Sequence, residues 1–178
     1  MCSNKHRFQY SFIIAVAILG TIITGCGQTE KEKRPSPFTF DQLNLNGDSL
    51  YIGYSSPRVR ERTIWGKLVP YGKMWRTGAN EATVFKTSKD IILNDTLLTA
   101  GSYSVFTIPD ERQWTLIFNK DWELWGSYYY NEDNDALRLP IEPNRSSEFS
   151  EEMKFELSEN ALNFHWENLT FSVSIDSE

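Results

Sequence analysis

In two runs near the C-terminus, Leu162 to Trp166 and Leu169 to Ile175, apolar side chains recur at every second residue, and no 12-residue segment of the chain sustains the 3.6-residue spacing of an amphipathic helix. That pattern restricts the fold more than anything else in the sequence. Leu169, Phe171, Val173 and Ile175 point one way while Thr170, Ser172 and Ser174 point the other, as in a strand with one face buried. Leu162, Phe164 and Trp166 alternate in the same manner with Asn163 and His165, and Glu167-Asn168 between the two runs predicts a tight hairpin and a C-terminal meander. Trp114, Leu116 and Phe118 repeat the pattern, with Ser102 to Ile108 as their partner across Pro109 to Arg112. Asn46-Gly47 and Asn94-Asp95 are turn signals between apolar runs, because Asn, Asp and Gly accept positive φ at low cost. Arg62 to Met74 comes nearest to a helix, but Gly66, Pro70 and Gly72 interrupt it. About nine short strands are expected, forming an all-β, antiparallel β-sandwich or jelly-roll-like single domain.

The domain starts late in the chain. Lys5, His6 and Arg7 precede a largely apolar run from Phe12 to Ile23, and Ile23-Thr24-Gly25-Cys26 follows. The run is shorter than the roughly 20 apolar residues a membrane span needs, so residues 1–25 read as a secretory leader. Ile-Thr-Gly-Cys after such a run resembles the lipobox of bacterial lipoproteins. The resemblance implies acylation of Cys26 and attachment to a membrane through an N-terminal lipid. Gly27, rather than an aspartate, after the cysteine leans the expectation to the outer membrane of a bacterial cell envelope. Residues 26–37 then form a lipidated tether. Its Thr29-Glu30-Lys31-Glu32-Lys33-Arg34 stretch and two prolines offer no apolar side chain to pack, which predicts a solvated, extended segment. Residues 38–178 are the β-sandwich domain, long enough to bury a core.

Removing the leader changes the available chemistry. The whole chain has a net charge of −6. Without Lys5 and Arg7 the mature chain carries −8, with Cys26 as its one cysteine and His165 as its one histidine. An intrachain disulfide, a multi-histidine zinc site and a Cys-His pair within the domain are therefore excluded. No cofactor or metal is implied. Nucleic acid is an improbable partner for so acidic a chain, since phosphate neutralisation supplies most non-specific affinity. The sequence leaves a protein partner open.

Charge is segregated. Residues 58–76 hold Arg58, Arg60, Arg62, Lys67, Lys73 and Arg76 against Glu61 alone, interleaved with Trp65, Tyr71 and Trp75. A small polar stretch, Thr77 to Thr83, follows. Arg58, Arg60, Trp75, Arg76, Asn80 and Glu81 are the candidate ligand-binding residues: guanidinium forks donate two hydrogen bonds at once and indole rings offer an apolar floor, suited to a small anionic or glycan ligand. The same arginines could instead pair with acids across strands or stack on tryptophans at a sandwich edge. Glu81 is also the acid to test for a glycan-active hydrolase, which needs a second carboxylate roughly 5–10 Å away. A structural or assembly role without a ligand site is the third reading.

Several of these residues carry a family resemblance. Tyr54-Ser55-Ser56-Pro57-Arg58-Val59, the run Ile64 to Thr83 with its Trp75-Arg76-Thr77-Gly78-Ala79-Asn80-Glu81-Ala82-Thr83 string, and the later Ala100 to Pro109 and Trp114 to Lys120 blocks are similar to the family called domain of unknown function 2911. The resemblance spans roughly Tyr51 to Ile175 and implies a secreted or lipid-anchored bacterial envelope protein. It implies no activity. The family pattern has a glycine where this chain carries Glu61.

Other constellations are weaker. Asn131, Asp133, Asp135 and Glu142 have EF-hand-like spacing, but Ala136 and Pro140 break the loop pattern, which points to a solvated acidic loop. Trp122, Trp125, Tyr128, Tyr129 and Tyr130 could stack on sugar rings or close the end of the core. His165 lies on the polar side of its strand without a nucleophile motif, and reads as an ordinary surface or edge histidine. Asp48-Ser49-Leu50 and Asp95-Thr96-Leu97 resemble short bacterial O-glycosylation sites.

Overall fold

The computed structural model describes residues 30–45 and 47–177, so the leader 1–25 and Cys26 lie outside the described residues. Ten strands form two antiparallel sheets, one more strand than expected, stacked as a β-sandwich. In chain order they are β1 (Phe38–Leu45), β2 (Asp48–Ser55), β3 (Ala79–Thr87), β4 (Ile91–Leu93), β5 (Thr96–Leu98), β6 (Gly101–Ile108), β7 (Trp114–Asn119), β8 (Asp135–Ile141), β9 (Asn144–Ser158) and β10 (Ala161–Ser177). The larger sheet runs β1-β2-β3-β6-β7-β8 and the smaller β5-β4-β10-β9.

The local signals act as their chemistry requires. Leu45 pairs with Asp48 across the Asn-Gly connection, where Gly47 has φ +92°. Asn94 and Asp95 both adopt positive φ, +43° and +63°, between β4 and β5. Val105 opposite Phe118 and Thr107 opposite Leu116 confirm the pairing of β6 with β7. Glu61 sits at φ +56°, in the left-handed region that favours glycine.

Two expectations are corrected. Residues 161–177 form one 17-residue strand against the 15-residue β9, not a hairpin turning at Glu167-Asn168. The sequence pattern has a second solution there: the inward set changes from even to odd positions between Trp166 and Leu169, and a bulge restores the inward face without reversing the chain. Glu167, at φ +55°, lies at the register shift. The second correction concerns the tether. From Glu30 onward it does not extend into solvent but folds onto the domain, with a helical turn at residues 30–32 and its Lys31, Arg34, Pro35 and Ser36 in contact with the larger sheet and the adjoining loop. It lacks apolar anchors as expected, and polar contacts hold it instead.

The core between the sheets is rich in aromatic rings. Trp114, Trp166, Phe85, Phe118 and Phe164 are fully buried. Trp65 and Trp75, from the basic segment, close one end of this stack: Trp75 lies nearly parallel to Trp166 at 5.8 Å and Trp65 approaches Trp114 at 4.9 Å. The sheets are also joined by polar bonds, in which the Tyr54 hydroxyl accepts from the Phe155 N–H at 2.9 Å and the Ser56 hydroxyl donates to the Met153 carbonyl at 2.7 Å. The outer face of the larger sheet carries a smaller apolar group, Ala82, Phe106 and Ile117, covered by Leu124 and Tyr130 of the β7–β8 connection.

Candidate functional site

That connection walls one side of a concavity. Asn119 is fully buried at the end of β7 and anchors it, donating from Nδ2 to the Asn131 carbonyl and to Asp135 Oδ1, both at 2.8 Å, while its Oδ1 accepts from the Asp121 N–H at 2.9 Å. Asn134 Nδ2 donates to Asp121 Oδ2 at 2.7 Å, and the Ala82 N–H donates to the Leu124 carbonyl at 3.0 Å. A loop pinned at both ends thus projects Trp122 and Trp125 beside β3. With β1–β3 and the folded-back tether it encloses an open cleft of about 380 Å³.

The cleft floor follows from strand alternation. Leu50, Ile52, Thr83 and Phe85 face the core, so Tyr51, Gly53, Val84 and Lys86 face outward. A Cβ on Gly53 would collide with the Tyr51 hydroxyl and ring edge, so glycine is what lets the Tyr51 ring lie against the sheet. Phe40 stacks on that ring at 5.7 Å. Lys86 Nζ sits 4.5 Å from the centroid of Trp122 and 5.9 Å from that of Tyr51, within reach of both ring faces.

Glu81 reaches the same cleft by breaking the alternation. The β2–β3 ladder is interrupted where residues 80–83 oppose Tyr54 alone, and Asn80 takes φ +57° in this bulge. Such irregularities re-aim side chains. Arg34 Nη1 donates to both Glu81 oxygens, at 2.9 and 3.0 Å, and Lys31 Nζ lies 3.2 Å from Oε1. Partial burial pushes the Glu81 carboxyl up, but hydrogen bonds from Arg34, from its own backbone N–H and from Lys31, together with the Lys31 charge, outweigh burial and hold it below the ordinary carboxylate range. The carboxylate is consequently ionised at neutral pH.

The six candidate ligand-binding residues do not form one site. Asn80 and Glu81 meet the tether, Asn80 donating from Nδ2 to the Ser36 carbonyl at 3.2 Å. Arg58 instead pairs with Glu152 on β9, and Arg60 donates from its backbone N–H to Glu151 Oε1 and from Nη2 to the Pro35 carbonyl. Trp75 belongs to the core, with its indole N–H donated to the Gly78 carbonyl at 3.0 Å. Arg76 lies near Gly126 with no acidic partner among the described residues. Of the basic side chains in residues 58–76, Arg58 makes the cross-strand acid pair that the alternative reading describes, while Arg60 and Arg62 donate to backbone carbonyls.

Lys31, Arg34, Tyr51, Phe38 and Lys86 enter the site without having been singled out in the sequence. Their assembly depends on which strand faces meet and on where the tether goes. Of the aromatic cluster, Trp122 and Trp125 wall the cleft rather than closing the end of the core, Tyr130 packs on Phe106, and Tyr128 remains 85% exposed. Asp135, within the EF-hand-like spacing, accepts from Tyr130, Arg138 and Asn119, so its lone pairs serve a protein network. His165 is half-buried, with Nε2 3.0 Å from the Glu148 carbonyl oxygen. Of the two candidate glycosylation positions, Thr96 is exposed on β5 and Ser49 is half-buried on β2.

Neither the curated proteins nor the solved structures include a match to this chain. Residues 36–175 do match a family model, covering the sandwich except the last two residues of β10 and including the bulge that carries Glu81. The chain belongs to the family described as "Protein of unknown function (DUF2911)".

Proposed function

We propose that this is a lipid-anchored bacterial envelope protein whose β-sandwich binds a small-molecule or glycan ligand in the cleft on the outer face of its larger sheet. The observation that carries the reading is the combination of Trp122, Trp125, Tyr51 and Phe38 around Glu81 and Lys86: flat apolar walls for a ring, with fixed charges to orient it. The binding residues are accordingly Tyr51, Glu81, Lys86, Trp122 and Trp125, with Asn80 shaping the bulge. Lipid attachment at Cys26, in the outer membrane, rests on the Ile23-to-Cys26 motif. Lys31 lies five residue steps beyond Cys26, a span of at most about 17 Å, so such an anchor would hold the cleft near the headgroups.

Binding is favoured over hydrolysis. Glu81, kept ionised by Arg34 and Lys31, is a poor proton donor at neutral pH. The test is a saccharide and small-metabolite panel monitored by tryptophan fluorescence, with Trp122→Ala and Trp125→Ala as comparisons. The expected result is at least one ligand whose affinity falls about tenfold or more in each variant, in line with the loss of a stacking ring. Saturable binding unaffected by both substitutions would place the site elsewhere, and no binding across the panel would favour the structural role. For the anchor, Cys26→Ser should abolish incorporation of labelled fatty acid and membrane retention; persistent labelling would refute it.

A further inference from the structure

All four cation–ring contacts among the described residues gather at this cleft, and the chain itself supplies every cation: Lys31 over Phe38, Arg34 over Trp125, and Lys86 over both Tyr51 and Trp122. A carboxylate flanked by ring faces is a general solution for recognising ammonium and guanidinium groups. At the Glu81 end both groups are present, the Arg34 guanidinium bonded to both carboxylate oxygens and the Lys31 ammonium on one of them.

The segment that delivers them is lightly held. No residue from Glu30 to Ser36 is buried. Besides the ion pairs, its contacts with the sandwich include the donations from Asn80 to the Ser36 carbonyl and from Arg60 to the Pro35 carbonyl, both at 3.2 Å. Partly exposed contacts of this kind are individually weak and screened by salt. Its departure would also invert the local charge. Lys31, Arg34 and Lys86 face Glu81 and Glu123 while it is seated, and Lys86 alone faces both carboxylates once it leaves.

We propose that the Glu81 end of the cleft is a subsite for the guanidinium or ammonium group of a basic ligand, occupied in the free protein by Lys31 and Arg34 as a tethered stand-in that such a ligand displaces. This rests on the cleft being a ligand site and specifies the ligand's charge, an organic cation with a ring or chain for the aromatic walls. It reverses the anionic ligand that the arginine-rich segment suggests.

The test is calorimetric titration of the full chain with agmatine, which carries a guanidinium and an ammonium on one short chain, beside an uncharged monosaccharide panel. Agmatine should bind the native chain. The double variant Lys31→Ala/Arg34→Ala should bind it about fivefold or more tightly, because the competing segment no longer lowers the fraction of open sites. Glu81→Gln should bind it about tenfold or more weakly while retaining its unfolding transition. Unchanged or weaker affinity in the double variant, or unchanged affinity in Glu81→Gln, would overturn the proposal. Binding of an uncharged saccharide through Trp122 and Trp125 without any binding of agmatine would reject the cationic subsite and keep the cleft. No binding of either would overturn both.

Discussion

Two stretches of this protein are rich in basic residues, and they do different work. Residues 58–76 are conspicuous in the sequence, yet Arg58 and Arg60 face acids of β9, Arg62 donates to the Val59 carbonyl, and Trp65 and Trp75 cap the core. Residues 30–34 look like a solvated linker, yet Lys31 and Arg34 converge on the Glu81 carboxylate in the cleft walled by Trp122 and Trp125. A run of like charge shows where cations are concentrated in sequence; only the fold decides which carboxylate each one meets. In the first stretch Arg58 pairs with Glu152 and Arg60 and Arg62 donate to backbone carbonyls, and in the second the charges fill a place that another cation could take.

The largest expected effect separates the aromatic residues attached to each stretch. Trp75→Ala should cost about 2–4 kcal/mol in urea unfolding, because it empties space between Trp65, Trp166 and Phe164. Trp125→Ala, at a ring 54% exposed, should stay within about 0.5 kcal/mol. Equal costs would erase the distinction between a core residue and a cleft wall.

A smaller effect is pH-dependent. Glu81 titrates below its ordinary value of 4.5 in the folded chain, so the unfolded chain binds the proton more readily. Its contribution is present in full above that ordinary value and is lost as pH falls through the lower, folded value. The stability difference between the native chain and Glu81→Gln, about 1 kcal/mol or less, should be flat from neutral pH down to about 5 and shrink below 4.5. A difference that grows on acidification would contradict the ion pairs with Lys31 and Arg34.

The smallest effect belongs to the conspicuous stretch. Arg58→Ala, which removes the half-exposed pair with Glu152, should change stability by less than about 0.5 kcal/mol and leave ligand binding in the cleft unaltered. An altered affinity would return this arginine to the site.

The fold was legible where its cause is local. Alternation placed β6, β7 and β10, and the Asn94-Asp95 pair marked a turn whose two residues do adopt positive φ. The change of inward parity after Trp166 was ambiguous, because a hairpin and a bulge at Glu167 both satisfy it; the long β9 partner selects the bulge. In the site, Asn80 and Glu81 stood out by composition, and Trp122 and Trp125 as a ring cluster. Tyr51 and Lys86 are ordinary outward positions of two strands until β2 pairs with β3 and the β7–β8 connection folds over them. Lys31 and Arg34 lie 50 and 47 residues from Glu81 along the chain, and no periodicity links them.

A double-mutant cycle by urea unfolding tests the central claim most directly. It compares the coupling of Arg34→Ala with Glu81→Gln to that of Arg76→Ala with Glu81→Gln. The contact of Arg34 Nη1 with both Glu81 oxygens predicts a coupling of about 1 kcal/mol for the first pair, against a value near zero for the second. Coupling of Arg76 with Glu81, and none of Arg34, would mean that the arginine-rich segment holds the cleft carboxylate after all.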